Sequence, residues 1–142
     1  MKKILTLMLL SLFLLNTNAQ ERTAKIEFES TVIDYGTIEK GSDGVRVFKF
    51  TNTGNAPLIV SKVKSSCGCT VPQYPKNTPI APGASGKIMV SFDSSNKPGM
   101  QQKSVTLSAN TASGREMLRI KSNVTPDPVK QQQRDAQAKA RQ

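Results

Sequence analysis

From Lys25 onward the chain is a succession of short runs in which apolar and polar residues alternate. Ile88, Val90 and Phe92 alternate with Lys87, Met89 and Ser91, and Val105, Leu107 and Ala109 with Ser104, Thr106 and Ser108. Leu118 and Ile120 do the same between Arg119 and Lys121. Successive side chains of a strand point to opposite faces, so each run can bury one face and leave the other in water. Ile26 to Phe28, Val45 to Thr51 and Leu58 to Val63 read alike, but Val47-Phe48 and Leu58-Ile59-Val60 are apolar on both faces, which predicts cover on both sides there. Between the runs stand Asp43-Gly44, Asn52-Thr53-Gly54-Asn55, Pro82-Gly83, Pro98-Gly99 and Ser113-Gly114, residues that tolerate positive φ or preset a bend. About seven short strands between residues 23 and 124 predict an all-β, immunoglobulin-like antiparallel β-sandwich. Two immunoglobulin hallmarks are missing: the chain has no Trp, and its two cysteines, Cys67 and Cys69, are too close in sequence to staple distant strands.

The two ends break this rhythm. Residues 1–19 open with Lys2 and Lys3, run apolar from Ile4 to Leu15 and close on the small residues Thr17, Asn18 and Ala19, the pattern of a secretory signal peptide cleaved after Ala19. About a dozen helical residues span well under the ~30 Å of a bilayer core, so this run predicts export, to periplasm or medium, and not a lasting anchor. No cysteine lies near Ala19 to be acylated. After Val124, Pro126 and Pro128 end any strand. The stretch to Gln142 is built from Lys, Arg, Gln, Asp and Ala, which predicts a disordered basic tail or a frayed helix over 125–142. Lys130, Arg134, Lys139 and Arg141 in that tail suit anionic envelope polymers or lipids.

Charge and composition then narrow the function classes. The formal charge is +10, and the loss of Lys2 and Lys3 with the leader lowers it to +8. Nucleic acid is the usual partner of so basic a chain, but export argues against it, and Tyr35 and Tyr74 with alternating core Phe residues leave no stacking platform for bases. Most of the lysines read as keeping an exposed β surface soluble and its edges unpaired. The chain has no His, which removes Ser-His and Cys-His nucleophilic catalysis. Asp34, Glu39, Asp43 and Asp93 fall beside turns, where Asp caps the backbone, and no phosphate-cradling Gly motif occurs. The expectation is a protein without catalytic residues or a cofactor.

The one reactive constellation is Ser65-Ser66-Cys67-Gly68-Cys69-Thr70, after the run that ends at Lys64. Two extended residues cover ~6.6 Å, the upper limit for a disulfide, so a Cys67–Cys69 bond requires a bend that Gly68 could supply. Three readings stay open: a structural, locally oxidised pair; a redox or partner-linking pair; and two thiolates for cuprous ion, with Met89, Met100 or Met117 as soft extras. Structural zinc, which needs four N or S ligands, does not fit, and no metal is assigned. Cys67, Gly68, Cys69 and Thr70 are the candidate site residues.

The order of the motifs resembles a known bacterial family. Val32-Ile33-Asp34-Tyr35-Gly36-Thr37-Ile38 is followed by Phe50-Thr51-Asn52-Thr53-Gly54-Asn55-Ala56-Pro57-Leu58, then by the Ser65 to Thr70 block, then by Ile80-Ala81-Pro82-Gly83. Over about Phe28 to Val124 this is similar to the family called domain of unknown function 1573. The resemblance implies an exported domain of the ASH and HYDIN branch of immunoglobulin-like folds, akin to the major sperm protein and PapD chaperone folds, with no known enzymatic activity. Ser122 departs from the pattern, standing where relatives tend to carry Gly. In such a fold Gly36 would bend the chain after the first strand, Asn52, Gly54 and Asn55 would close a hairpin, Pro57 would set entry to the next strand, and Pro82-Gly83 would make a further turn. The reading that follows is a non-catalytic envelope module that binds protein partners through a sheet edge or loops; the alternative is a periplasmic thiol-redox or cuprous-ion-binding protein acting through Cys67 and Cys69.

Overall fold

The computed structural model describes residues 21–141, so the expected leader over 1–19 lies outside the described residues. Eight strands are present: β1 (Ile26–Phe28), β2 (Val32–Glu39), β3 (Val45–Asn52), β4 (Val60–Ser65), β5 (Thr70–Gln73), β6 (Ser85–Phe92), β7 (Gly99–Ala109) and β8 (Arg115–Thr125). They form two four-stranded sheets in the orders β1-β3-β6-β5 and β2-β8-β7-β4. The fold is the expected all-β sandwich, with one departure from a purely antiparallel arrangement: β2 runs parallel to β8. That pairing arises because β1 and β2 are joined by a short link that crosses from one sheet to the other.

Alternation places the core as expected. Ile88, Val90 and Phe92 of β6, with Phe48 and Phe50 of β3 beside them in the same sheet, share one core with Val105 and Leu107 of β7 and Leu118, Ile120 and Val124 of β8, all buried. Ser122 takes one inward position of β8 and is itself buried, so a small side chain suffices there. The apolar pairs expected to be covered on both faces are covered on one: Phe48 is buried while Val47 remains exposed, and Leu58 and Val60 are buried while Ile59 is half-buried. Among the described residues no third layer covers these outward side chains.

The segment Asn52 to Pro57 does not close a hairpin. It carries the chain from β3 in one sheet to β4 in the other, and Asn52 makes the corner. Its side chain is fully buried; Nδ2 donates to the carbonyls of Ala56 (2.8 Å) and Ile80 (2.9 Å), and Oδ1 accepts from the Gly54 N–H (3.0 Å) and the Lys25 N–H (3.4 Å). Such a set of bonds satisfies the corner's main chain where no strand partner can. Gly54 is required by close approach, since a Cβ there would stand 2.3 Å from the Thr23 carbonyl oxygen. Asn55 ties the same corner to the amino-terminal segment, accepting from the Thr23 N–H at 2.7 Å, and the Pro57 carbonyl accepts from Asn110. The Gly83 N–H closes on the Asn52 carbonyl at 2.7 Å, so Pro82-Gly83 belongs to this corner too. Gly36 sits inside β2 and not after a strand; its φ of +65° makes the irregularity at which the β2–β8 register shifts.

Over 125–142, where the sequence predicts a disordered tail or a frayed helix, the chain forms α1 (Pro128–Lys139). The Asp127 carboxylate accepts from the Val129 N–H at 3.0 Å and Pro128 occupies the first turn, a start signal strong enough to begin a helix that has little to bury. Its side chains are exposed almost throughout. Lys130, Gln133, Arg134 and Gln137 look across a depression of about 440 Å³ toward Lys40 and Pro98.

Candidate functional site

Strands β4 and β5 are the edge strands on one side of the sandwich, one from each sheet, and the residues between them carry the chain across that side. Cys67 and Cys69 are joined there by a disulfide, with Cα atoms 5.3 Å apart, so the bend at Gly68 does occur. The loop is pinned at both ends. The Ser66 N–H donates to the Ser104 carbonyl (2.8 Å) and the Ser104 N–H to Ser66 Oγ (3.1 Å), while the Asp93 N–H donates to the Cys69 carbonyl (2.8 Å). Inside it Ser65 Oγ donates to the Cys67 carbonyl at 2.7 Å, and buried Thr70 places Oγ1 3.5 Å from Cys67 Sγ and 3.9 Å from Cys69 Sγ. Both cysteines are half-buried and Gly68 is exposed, so an attacking group could reach the bond.

In this bonded form the sulfurs offer no thiolate to a metal. The three methionines considered with them are dispersed: Met89 pairs with Gln73 in the β5–β6 ladder, Met117 lies on the outer face of β8, and Met100 is 80% exposed beside Asn123. Among the described residues no group of three or more Cys, Asp or Glu side chains gathers to hold an ion. The turn carboxylates do what such residues commonly do: Asp34 accepts from the Gly36 N–H, Asp43 from the Val45 N–H and Asp93 from the Ser95 N–H. The last bond, with one from the Ser95 side chain, holds the Asp93 carboxyl below its ordinary range.

The other feature of this side is main chain. Ser66 pairs with Ser104 by a hydrogen bond, and the register continues Lys64↔Thr106 and Lys62↔Ser108. Antiparallel ladders alternate, so Val63 and Ser65 turn their N–H and C=O groups away from β7, and among the described residues neither has a main-chain partner on that outer side. The other edges are shorter or partly covered. On β5, Pro72 has no N–H to offer and the Thr70 N–H is taken by the Cys67 carbonyl. On β2, Ser30 Oγ bonds both the N–H and the carbonyl of Val32. The Asp34 carboxylate covers the Gly36 N–H on the same strand. Strand β1 is only three residues long. Sequence reasoning placed lysines on edges without saying which edge stays open; the alternation of Lys62 and Lys64 around Val63 was the available signal.

Residues 26–124 match the family described as protein of unknown function (DUF1573). The chain belongs to the DUF1573 family. No curated protein matches the sequence. Among solved structures, a protein of unknown function from Porphyromonas gingivalis W83 is similar to this DUF1573 chain, with a TM-score of 0.63 and 19% identity over 72% of this chain and 47% of that one. This chain therefore spans about half the length of that protein. The ASH/PapD-like domain 7 of human CEP192 gives a TM-score of 0.59 at 10% identity, covering 74% of this chain and 89% of the domain. The CupB2 chaperone of Pseudomonas aeruginosa gives 0.54 at 10% identity, covering 70% and 55%. At such identities the likeness is one of fold, an immunoglobulin-like sandwich of the PapD and ASH kind. The DUF1573 match encloses the disulfide loop, the Asn52 corner and all the strands but the last residue of β8.

Proposed function

We propose that this DUF1573 domain is an exported, non-catalytic module of the cell envelope that takes an extended, acidic segment of a partner protein along the edge of β4. The observation that carries the reading is the main chain of Val63 and Ser65, unpaired among the described residues, on an edge longer than β1 and less covered than β2 and β5. An added strand would complete those bonds, the mode in which main chain gives affinity and alternate side chains give specificity. Lys62 and Lys64 flank the open groups and choose the partner's charge. A second copy paired there would set lysine against lysine, which disfavours self-association, whereas an acidic strand would be attracted. The likeness in fold to a chaperone supports binding over chemistry, as does a chain with no His whose turn carboxylates are engaged with backbone N–H groups. The leader pattern and the disulfide, a bond kept in oxidising compartments, support export.

The test compares wild-type protein with Ser65→Pro, which removes one outward N–H, and with the pair Lys62→Ala and Lys64→Ala. Thermal melts first establish that each variant is folded. Wild-type protein should capture a segment from envelope extract whose addition slows amide exchange at Val63 and Ser65; Ser65→Pro should lose it and the lysine pair should hold it more weakly. Capture unchanged by Ser65→Pro would refute binding at the edge.

The half-exposed Cys67–Cys69 bond favours a second reading, as an oxidant of thiols. A dithiol substrate would attack one sulfur, pass through a mixed disulfide and leave oxidised, with two thiols at Cys67 and Cys69. Alkylation and mass spectrometry after equilibration with excess reduced glutathione measure it: a bond that stays intact dismisses the redox role.

A further inference from the structure

The outer face of the β2-β8-β7-β4 sheet carries a pattern that extends from Lys62 and Lys64 of the edge across β7 and β8. Register aligns Lys62, Ser108 and Arg115 in one row across β4, β7 and β8, then Lys64, Thr106 and Met117, then Ser66, Ser104 and Arg119, and Gln102 with Lys121 beyond. Two shallow depressions lie on these rows. One, of about 320 Å³, is lined by Lys62, Lys64, Ser66, Ser104, Ser108 and Arg115 among others; the second, of about 450 Å³, adds Gln102, Lys103, Met117 and Arg119. They share Ser66 and Ser104, so they form one trough. Outward-facing acid is confined to the far edge of the sheet, on β2, where Asp34 pairs in register with Lys121. Glu116, near the end of β8, accepts from the Ser113 hydroxyl.

We propose that this trough binds an acidic polysaccharide, a glycan whose sugar units bear carboxylates. Each part of the face matches one part of such a chain. Arg115 and Arg119 can hold carboxylates through paired N–H donors, and standing four residues apart on one strand, ~13 Å, they suit a ligand that repeats its charge. Between the cation rows Ser104, Thr106 and Ser108 present hydroxyls that make no side-chain bond among the described residues, the groups that exchange hydrogen bonds with sugar hydroxyls. Met117, half-exposed between the two arginines, offers an apolar surface to the C–H face of a sugar ring. The chemistry discriminates against other polyanions. A bilayer calls for apolar side chains that insert together, and the large exposed apolar residues of this face, Met117, Met100 and at the far edge Val32, stand on separate rows. A nucleic acid calls for aromatic platforms, and among the described residues no aromatic side chain stands on this face.

Binding to the full mature chain is measured by calorimetry with polygalacturonate oligosaccharides, neutral maltooligosaccharides, poly-glutamate of matched charge, and phosphatidylglycerol vesicles. Polygalacturonate should bind and the neutral sugar should not. Raising salt from about 0.1 M to about 1 M, which shrinks the Debye length from about 10 Å to about 3 Å, should abolish it. Replacing both arginines, Arg115→Ala with Arg119→Ala, should weaken polygalacturonate about tenfold or more, as the loss of two charge-assisted contacts implies. Replacing Ser104→Ala with Thr106→Ala should weaken polygalacturonate about threefold while leaving poly-glutamate unchanged. These side chains are solvent-facing, and an unchanged melt confirms folded protein. Equal affinity for poly-glutamate or for the vesicles, or indifference to the arginine pair, would overturn the proposal. Arg115→Ala with Arg119→Ala leaves the main chain of β4 unchanged and should leave slowed amide exchange at Val63 and Ser65 intact, so the fate of this inference is read separately from that of the β4 edge.

Discussion

On one side of the sandwich β2 and β3 are tied together by Tyr35, whereas on the other β4 and β5 are joined by the loop that the Cys67–Cys69 bond tightens. Tyr35 reaches from one sheet to the other. Its hydroxyl donates to the Gly44 carbonyl at 2.7 Å, its ring meets Phe92 edge-on at 6.1 Å, and the Arg46 guanidinium lies 4.5 Å above it. Nothing could slip between, since a Cβ on Gly44 would fall 1.9 Å from the Phe92 carbonyl oxygen. The disulfide, by contrast, encloses a single residue and joins nothing distant. The non-covalent closure therefore spans the fold while the covalent one shapes a few residues. The side at Tyr35 is pinned sheet to sheet, and the side with the disulfide carries the open stretch of β4.

The comparison breaks first at Tyr35. Tyr35→Ala removes a buried ring and its cross-sheet contacts and should cost about 3–4 kcal/mol of unfolding free energy in urea, the range for large aromatic truncations. Replacing both cysteines, Cys67→Ser with Cys69→Ser, should cost only about 1.5 kcal/mol by the same measurement, because closing so short a loop removes little freedom from the unfolded chain. If the cysteine pair proved costlier than Tyr35→Ala, the loop would be holding the sheets together and the contrast would reverse. A smaller loss, about 1 kcal/mol, is expected for Tyr35→Phe, which keeps the ring and leaves the Gly44 carbonyl without its donor.

The sequence reads well where alternation is strong and badly where structure depends on what lies opposite. β1, β6, β7 and β8 announce themselves through Ile26 to Phe28, Ile88 to Phe92, Val105 to Ala109 and Leu118 to Ile120, because one buried face writes a period of two. β5 is hidden by Pro72, a residue that argues against a strand unless the strand is at an edge. The Asn52 corner looks like a hairpin because Asn and Gly serve both purposes; only the carbonyls of Ala56 and Ile80, brought in by the fold, decide between them. Of the candidate site, the bend at Gly68 is legible and the open edge is not, since an edge is defined by the strands that fail to cover it. The basic face was half legible: Lys62 and Lys64, and Arg115, Arg119 and Lys121, share parity on their strands, but only register shows that the two sets cover one face.

The finest test of the closed side is its response to alkali. Burial of Tyr35 outweighs the pull of the Arg46 cation and, with a push from Asp43, raises its pKa from about 10 to about 12. The neutral phenol is thus the form the fold prefers, so its contribution is complete below about pH 10, where the hydroxyl is protonated in folded and unfolded chains alike. Between pH 10 and 12 the unfolded chain loses this proton first, and stability should fall as pH rises through that window. Lysines titrate over the same range, so the measurement is a difference. Urea midpoints of wild type and Tyr35→Phe taken at about pH 8, 10 and 11.5 should converge, because only the wild type has this proton to lose. Parallel curves would mean that the phenol titrates as it does in water, and that the side described as closed admits solvent to its centre.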